Sequence, residues 1–429
     1  MTELISLGVL ASSVPREVID EAVAVHGRQA RRSGGKLPPH VMVYFAMAMA
    51  LFADDDYAEV MVRLSGALAS WGCWDEEWAL PTTGGITQAR ARLGSEPMAE
   101  IFGQVAVPVA ESLTRGAWLG SWRLMAIDGF DWDVPDTAEN FAEFGYSGSG
   151  ATRSPFPKAR LVTISECGSH AVVAAGIGGA NTAEQKLARP LYAELDPDWL
   201  LIADRNFYGF TDWNQARVNG CELLWRMSKS VPLPVVAELA DGSFLSVVFR
   251  RGIWHGARPR LLEAARGGED LDPADAVVVR VVEYSVPNRA PDHGGNNAHA
   301  KNPDSNPDSN SGPGPGRGLE EKITLITTIL DPAHATADQL AQAYHERWEH
   351  ETGNRQLKTY LRGPGRVLRS HKPDTVYQEI YGYLLTHYAI SALICRAATE
   401  ADIDPDRVKF LHTVRILRRN VAAPTEFSP

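Results

Sequence analysis

The chain has 429 residues, 44% of them hydrophobic and 22% charged, an ordinary globular composition too long for one simple core, so about two to four domains are expected. A net charge of −11 counts mildly against nucleic acid, whose binders favour a basic balance. The four cysteines, Cys73, Cys167, Cys221 and Cys395, form no CxxC pair, which excludes a zinc ribbon or disulfide framework and points to a reducing cytoplasm.

The start, MTELISLGVLASS, has no basic n-region, so no signal peptide is expected. The longest apolar run, Val41 to Phe52, is too short for a membrane span. Residues 1–115 read as an all-helical domain. Pro15 to Ala30 is amphipathic, with Val18, Ile19, Ala22 and Val23 on one face. Pro38 and Pro39 open an apolar helix from Val41 to Phe52, and Tyr57 to Leu68 continues the pattern. GGITQARARLGSEPMAEIF reads as a turn, a short basic helix, a break near Gly94 and another helix. Trp71, Trp74 and Trp78 share a loop and suit core packing. Basic clusters at Arg28, Arg31, Arg32 and Lys36, with Arg90 and Arg92, are candidates for phosphate contact. Two more clusters, Arg362 to Lys372 and Arg415 to Arg419, lie near the other end.

From Trp122 the character changes. WRLMAIDGF predicts a strand ending on Asp128 and Gly129. Ala159 to Glu166 and His170 to Gly176 predict a hairpin. A helix follows over Asn181 to Glu194, then a short apolar strand, Trp199 to Ala203, ending on Asp204. A helix from Thr211 to Val218 and a strand from Cys221 to Met227 complete the order strand, hairpin, helix, strand, helix, strand. That order is the one of a ribonuclease H-like α/β fold, a mixed sheet with helices on both faces. Asp128 and Asp204 each end an apolar strand, where ligands of open α/β sheets gather. Asp131, Asp133 and Asp136 are rivals to Asp128, which is preferred because the apolar strand leads directly into it.

Residues 229–330 read as a mainly β insertion, with strands at Phe244 to Arg250, Val277 to Val286 and Lys322 to Leu330, and a turn at Asp241–Gly242. Inside it, residues 289–318 are Pro, Gly, Asn and Ser with almost no apolar residue, a run expected to be disordered.

Residues 331–421 return to the α/β unit begun at 116–228. Thr336 to Tyr360 predicts one long helix, opened by a capping box of Thr336 and Gln339. At about 100° per residue, Arg347, Glu351 and Lys358 fall at about 300°, 340° and 320° from Tyr344. All four share a wedge of roughly 60°. One carboxylate, one guanidinium, one ammonium and one phenol on one face suit a metal ion bound to a phosphate ester. Three converging carboxylates, Asp128, Asp204 and Glu351, repel unless divalent cations neutralise them. Two further helices, Asp374 to Ala398 and Pro405 to Arg419, precede a loose tail.

The spacing Tyr-x2-Arg-x3-Glu-x6-Lys arises by chance in roughly one chain of this length in 500. It resembles the signature of the DDE transposases of bacterial insertion sequences, in the branch named for insertion sequence four. MAIDG, LIADRNF, TLITTILDP and QEIYGYLLTHYAI extend the likeness over residues 122 to 420. The resemblance implies that Asp128, Asp204 and Glu351 are a catalytic, metal-binding triad holding two Mg²⁺ ions, for which Mn²⁺ substitutes. It implies that Tyr344, Arg347 and Lys358 contact DNA phosphates near the cleaved end. It implies a helical N-terminal domain that reads transposon ends, double-stranded DNA ends and target as partners, and a homodimer on DNA. The chemistry implied is cleavage followed by transfer of the freed 3′-OH to target DNA. Trp225, Trp254 and Trp348 are candidates for an aromatic platform under a flipped base, with a structural role the favoured reading of each. Phe130 stands where many relatives have a small hydroxyl residue. Two alternatives are a metal-dependent nuclease without strand transfer and a non-catalytic DNA-binding descendant.

Overall fold

The computed structural model describes residues 12–30, 37–70, 79–286 and 321–420, without the side chains at 68–70, 348–351 and 420. The expectations for Arg31, Arg32, Lys36, the loop tryptophans, the 289–318 run and the tail after 421 lie outside the described residues.

The N-terminal part is helical: α1 (Arg16–Val25), α2 (Pro39–Leu51), α3 (Tyr57–Ser70), α4 (Thr83–Leu93) and α5 (Glu96–Val105). Pro39 occupies the first turn of α2, where its missing N–H costs nothing. Every residue from Val41 to Leu51 is buried. A helix apolar on all sides must lie inside a core, and α2 packs against the long C-terminal helix α12 (Pro373–Glu400). Gly382 permits the close approach: a Cβ there would sit 2.5 Å from the Ala46 carbonyl oxygen. Gly94, at φ 74°, makes the expected break between α4 and α5. α5 ends at Val105, short of the boundary at residue 115 expected for the helical domain; beyond it, the Val109 and Ala110 amides donate to the buried Glu166 carboxylate instead of to helical carbonyls.

The sheet, ten-stranded among the described residues, begins with the short β1 (Trp118–Leu119) against β2 (Trp122–Asp133). After α6 (Ala138–Phe144) come β3 (Lys158–Glu166), β4 (Val172–Gly179), α7 (Glu184–Leu191), β5 (Trp199–Ala203), α8 (Phe210–Ala216) and β6 (Glu222–Arg226). The insertion supplies β7 (Val235–Glu238), β8 (Phe244–Phe249), α9 (Ala257–Arg266), β9 (Ala276–Val286) and β10 (Glu321–Thr327). The spatial order is β4-β3-β2-β5-β6-β10-β9-β8-β7. Strands β2, β5 and β6 are parallel and the remaining pairs antiparallel. The insertion strands therefore continue the same sheet past β6. β7 and α9 had no clear sequence signal, because both are short and mostly exposed.

Even-numbered positions of β2 face one side and odd-numbered ones the other. Leu124 and Ala126 join the core under α10 (Ala337–His345); Phe130 and Trp132 join the core shared with α2 and α12. Met125 and Ile127 pack with Ala188 and Leu191 of α7 on the opposite face. Helices cover both faces, and the ribonuclease H-like order of elements is present.

Candidate active site

Strand β2 does not end at Asp128. It runs to Asp133, because Asp131 and Asp133 pair with Arg160 at 2.9 Å and Lys158 at 2.7 Å across the β3 hairpin. What does end there is parallel pairing: the last β2–β5 partners are Ile127 and Ala203. Asp128 and Asp204 are the next residues on neighbouring strands, which lie about 4.8 Å apart. Each carboxylate has one oxygen held by a backbone amide at 2.8 Å, Gly129 for Asp128 and Asn206 for Asp204. Among the described residues, the second oxygen of each has no hydrogen-bond partner. Asp131 and Asp133 are engaged on the odd face, and Asp136 accepts from the Tyr146 hydroxyl at 2.7 Å. The three rivals are thus committed elsewhere.

The expected single helix is broken into three pieces. α10 opens with the capping box: the Gln339 amide donates to Thr336 Oγ1 at 3.3 Å and the Thr336 amide to Gln339 Oε1 at 2.9 Å. The insertion fastens this end. Asp241 Oδ2 accepts from the Ala337 amide at 2.7 Å and from fully buried Arg280 at 2.5 Å, and Arg280 also donates to the Ala335 carbonyl. A step at Glu346 leads into α11 (Arg347–Arg355), and a π-helical turn, Gln356–Leu361, follows. The π turn winds less than 100° per residue, so the wedge estimate for Lys358 shifts.

At this turn the chain meets side chains from distant segments. Gln356 Nε2 donates to His170 Nδ1 at 2.9 Å, His387 Nε2 donates to Gln356 Oε1 at 3.1 Å, and His170 Nε2 donates to Asp406 at 3.0 Å. All but Asp406 are buried. His170 holds this position with φ 60°, a left-handed conformation uncommon for a residue with a side chain.

Around Asp128 the helix brings cations. Lys358 Nζ lies 4.7 Å from the centre of the Phe130 ring. Phe130, unusual by the sequence pattern, is the seat of an ammonium beside Asp128. Arg347 is buried, its guanidinium 5.8 Å from the centre of the Tyr344 ring. Burial pushes the Asp128 carboxyl above its ordinary value, while the Gly129 amide, Arg347 and Lys358 pull it down. Tyr344 is buried in the core under α10, and burial raises its hydroxyl. Asp128, Asn354, Arg355, Lys358 and Thr359 line a cavity of about 330 Å³. Glu351 is on α11; its side chain lies outside the described residues. Among the described residues no three His, Cys, Asp or Glu side chains are grouped to hold a metal ion.

Two hard carboxylates on adjacent strands, each with an open oxygen, fit an oxygen-seeking divalent cation. Glu184 was missed from sequence. Its carboxylate lies against Gly129, where a Cβ would meet Oε1 at 2.6 Å. Burial raises this carboxyl; Arg160 opposes the rise and Asp128, Asp204 and Asp131 add to it. The signal available was Gly129 itself, an unexplained glycine inside a strand.

Arg90, a candidate for phosphate, and several residues of the other basic clusters are structural. Arg90 is buried and donates to Gln378 Oε1 at 2.7 Å, Ser370 Oγ at 3.0 Å, the Thr375 carbonyl and the Tyr57 hydroxyl. Arg366 pairs with Asp54, Arg369 reaches the Met49 and Asp55 carbonyls, and Arg418 the Leu51 carbonyl. These contacts tie the end of α2 to the C-terminal helices. Trp225 is fully buried against Trp213. Trp254 is 74% exposed on the loop after β8, at the opposite end of the sheet from Asp204.

Residues 4–103 match the family described as insertion element 4 transposase N-terminal, and residues 122–388 match the transposase DDE domain. The transposase InsG for insertion sequence element IS4 of Escherichia coli (strain K12) is 24% identical over 381 residues, 86% of this chain and 73% of that protein. The putative transposase InsZ of the same strain is 30% identical over 142 residues, 33% of this chain and 47% of that protein. A cryo-EM structure of piggyBac transposase in a synaptic complex with hairpin DNA aligns with TM-score 0.42 and 10% identity, over 98% of this chain and 83% of that one. The chain belongs to the DDE transposases of the insertion sequence four family.

Proposed function

We propose that this transposase cuts double-stranded DNA at the ends of its insertion sequence and joins the freed 3′ ends to target DNA. The observation that carries the reading is the pair Asp128 and Asp204, side by side where parallel pairing stops, under the helix bearing Arg347, Glu351 and Lys358. Asp128, Asp204 and Glu351 would hold two divalent cations, Mg²⁺ or Mn²⁺. When bound, such cations supply charge neutralisation at the reacting phosphate and a more acidic water.

The residues of the chain do the rest. Lys358 and Arg347 bring positive charge to phosphate oxygens in a poorly hydrated site, where it acts most strongly. Tyr344 backs Arg347 through its ring. Phe130 fixes the Lys358 ammonium beside the strand end and excludes water on that side. In the cutting step a water oxygen bonds to phosphorus and the P–O3′ bond breaks; the water gives up a proton to solvent and the departing 3′ oxygen takes one up, which leaves a 5′-phosphate and a 3′-OH. In the joining step that 3′-OH oxygen bonds to a target phosphorus and the target's own P–O3′ bond breaks, the proton lost by the attacking hydroxyl being balanced by one taken up on the target's released 3′ oxygen. Holding both groups in line supplies much of the acceleration.

The N-terminal helices would read the ends, and pairing of two ends implies a homodimer on DNA. No helix among the described residues is long and apolar enough to cross a membrane. The buried free thiols of Cys167, Cys221 and Cys395 fit a reducing cytoplasm. The test uses a duplex carrying the sequence that flanks the coding region in its source genome, with Mg²⁺, comparing wild type with Glu351→Gln. Cleavage and joined products from wild type, with neither from the variant although it still binds the duplex, are expected. Cleavage without joining would favour a nuclease. Equal cleavage by the variant would remove Glu351 from the metal site, and no cleavage by wild type would favour a non-catalytic DNA-binding protein.

A further inference from the structure

α10 begins with more support than its own sequence supplies. Its capping box satisfies the Gln339 amide, and Leu340, Ala343 and Tyr344 bury its apolar face. The Ala337 amide is another donor that a helix start leaves open. It is taken by Asp241, 96 positions earlier, in the turn between β7 and β8.

Asp241 is itself held. Its Oδ1 accepts from the Ser243 amide at 3.2 Å and the Ser243 hydroxyl at 2.6 Å, and its Oδ2 from Arg280. Arg280, on β9, is fully buried. Its Nε donates to Ser243 Oγ at 2.8 Å. Its Nη1 donates to the carbonyls of Ala335 at 2.7 Å and Ile329 at 3.4 Å, on the connection from β10 to α10. One guanidinium thus ties the β7–β8 turn to that connection, and one carboxylate ties the same turn to the helix start.

Stability alone gives little reason for this arrangement. Taking an ion pair out of water costs about as much as its attraction returns, and apolar residues of similar volume often do as well. What a buried, fully bonded pair supplies is geometry, because the planar guanidinium fork meets its acceptors in fixed directions. The reacting face moves with this clamp. Tyr344 lies about 10 Å along the helix from Ala337, and Arg347 follows one turn later. Arg347 pulls down the Asp128 carboxyl, and Asp204 pushes up the Tyr344 hydroxyl, so both stand within electrostatic reach of the two aspartates.

We infer that Asp241 and Arg280 are positioning residues for the cutting step: through them the insertion sets where the signature helix stands over Asp128 and Asp204. The inference rests on the DNA-cutting reading above. The two residues act through Ala335 and Ala337, not by touching the substrate.

The experiment compares the full-length wild type with Ala337→Pro and with the double variant Asp241→Leu/Arg280→Met. Proline suits the first helical position, and Thr336 before it is already extended, at ψ 163°. Ala337→Pro therefore removes the amide that Asp241 accepts from and leaves the helix start sound. The double variant replaces both partners by apolar side chains. In both, cleavage at saturating duplex with Mg²⁺ is expected to fall by about tenfold to a hundredfold, the upper figure being the loss that a displacement of about 1 Å can produce. Duplex affinity in EDTA is expected to be unchanged. Hydrogen exchange, read on the folded proteins without DNA or metal, is expected to quicken across Tyr344 to Leu361 and to stay as in wild type in β2 and β5.

Exchange that quickens in β2 and β5 as well would mark a merely stabilising pair and overturn the inference. Unchanged exchange across Tyr344 to Leu361, or wild-type cleavage in either variant, overturns it too. So does a loss of duplex affinity large enough to account for the slower cleavage. An uncut duplex with wild type overturns the DNA-cutting reading instead; the exchange comparison, which needs no activity, still decides whether the insertion holds the helix.

Discussion

Gln356 donates to His170 across 2.9 Å, which joins the signature helix to the turn between β3 and β4. The same Gln356 accepts from His387 on α12, so one amide side chain links three segments at the start of the π turn. Gln356→Met keeps the volume and removes both bonds. It leaves buried imidazole nitrogens unmatched, at about 1–3 kcal/mol each. A lower melting temperature is expected, with slower cleavage at saturating DNA and unchanged duplex affinity. Gln356→Glu, which can accept from both rings once His170 is protonated, is expected to recover part of the rate. Unchanged cleavage in Gln356→Met would show that the link does not position Lys358.

Burial raises the Asp128 carboxyl above its ordinary value of 3.8. The folded state therefore holds this proton more tightly than the unfolded chain. The resulting destabilisation is complete above the raised value and vanishes as pH falls below 3.8. Metal-free Asp128→Asn is expected to melt higher than wild type at pH 8, with the gap closing as pH falls. Melting curves in EDTA across pH check this; a gap that widens in acid would reverse the sign.

Arg90 and Arg92 are two residues apart and do different work. Arg90→Ala leaves Gln378, Ser370 and the Thr375 carbonyl without their donor, with an expected loss of about 2–4 kcal/mol for buried charge-assisted bonds. Arg92 is exposed, and Arg92→Ala is expected to change stability by less than about 0.5 kcal/mol. If Arg92 meets a phosphate, its removal lowers the salt slope of duplex binding by about one. Denaturant titration and binding at several salt concentrations separate the two outcomes.

Gly382→Ala puts a methyl group 2.5 Å from the Ala46 carbonyl oxygen. Neither helix backbone can yield without moving its neighbours, so a loss of about 1–3 kcal/mol is expected from overpacking. A neutral result would show that α2 slides freely on α12.

Local patterns carry much of this protein. The alternation and apolar runs of β2, β3 and β5, the capping box at Thr336, the break at Gly94 and the spacing of Tyr344, Arg347, Glu351 and Lys358 are properties of neighbouring residues, so they are legible in the chain. The end of β2 was not, because Asp131 and Asp133 look like turn residues until Arg160 and Lys158 face them across β3. The surface role suggested for Arg90 failed for a related reason: its acceptors come from residues some 280 positions away.

What the sequence determined by itself was the kind of fold and the residue types of its site. Hydrophobic periodicity and capping act over one or two turns and need no partner. What only the tertiary structure decided was which carboxylates meet, where the helix bends, and what lies beside them. Those depend on strand register, on the His170–Gln356–His387 link and on Glu184 resting against Gly129, contacts between segments far apart in the chain whose geometry no local pattern encodes.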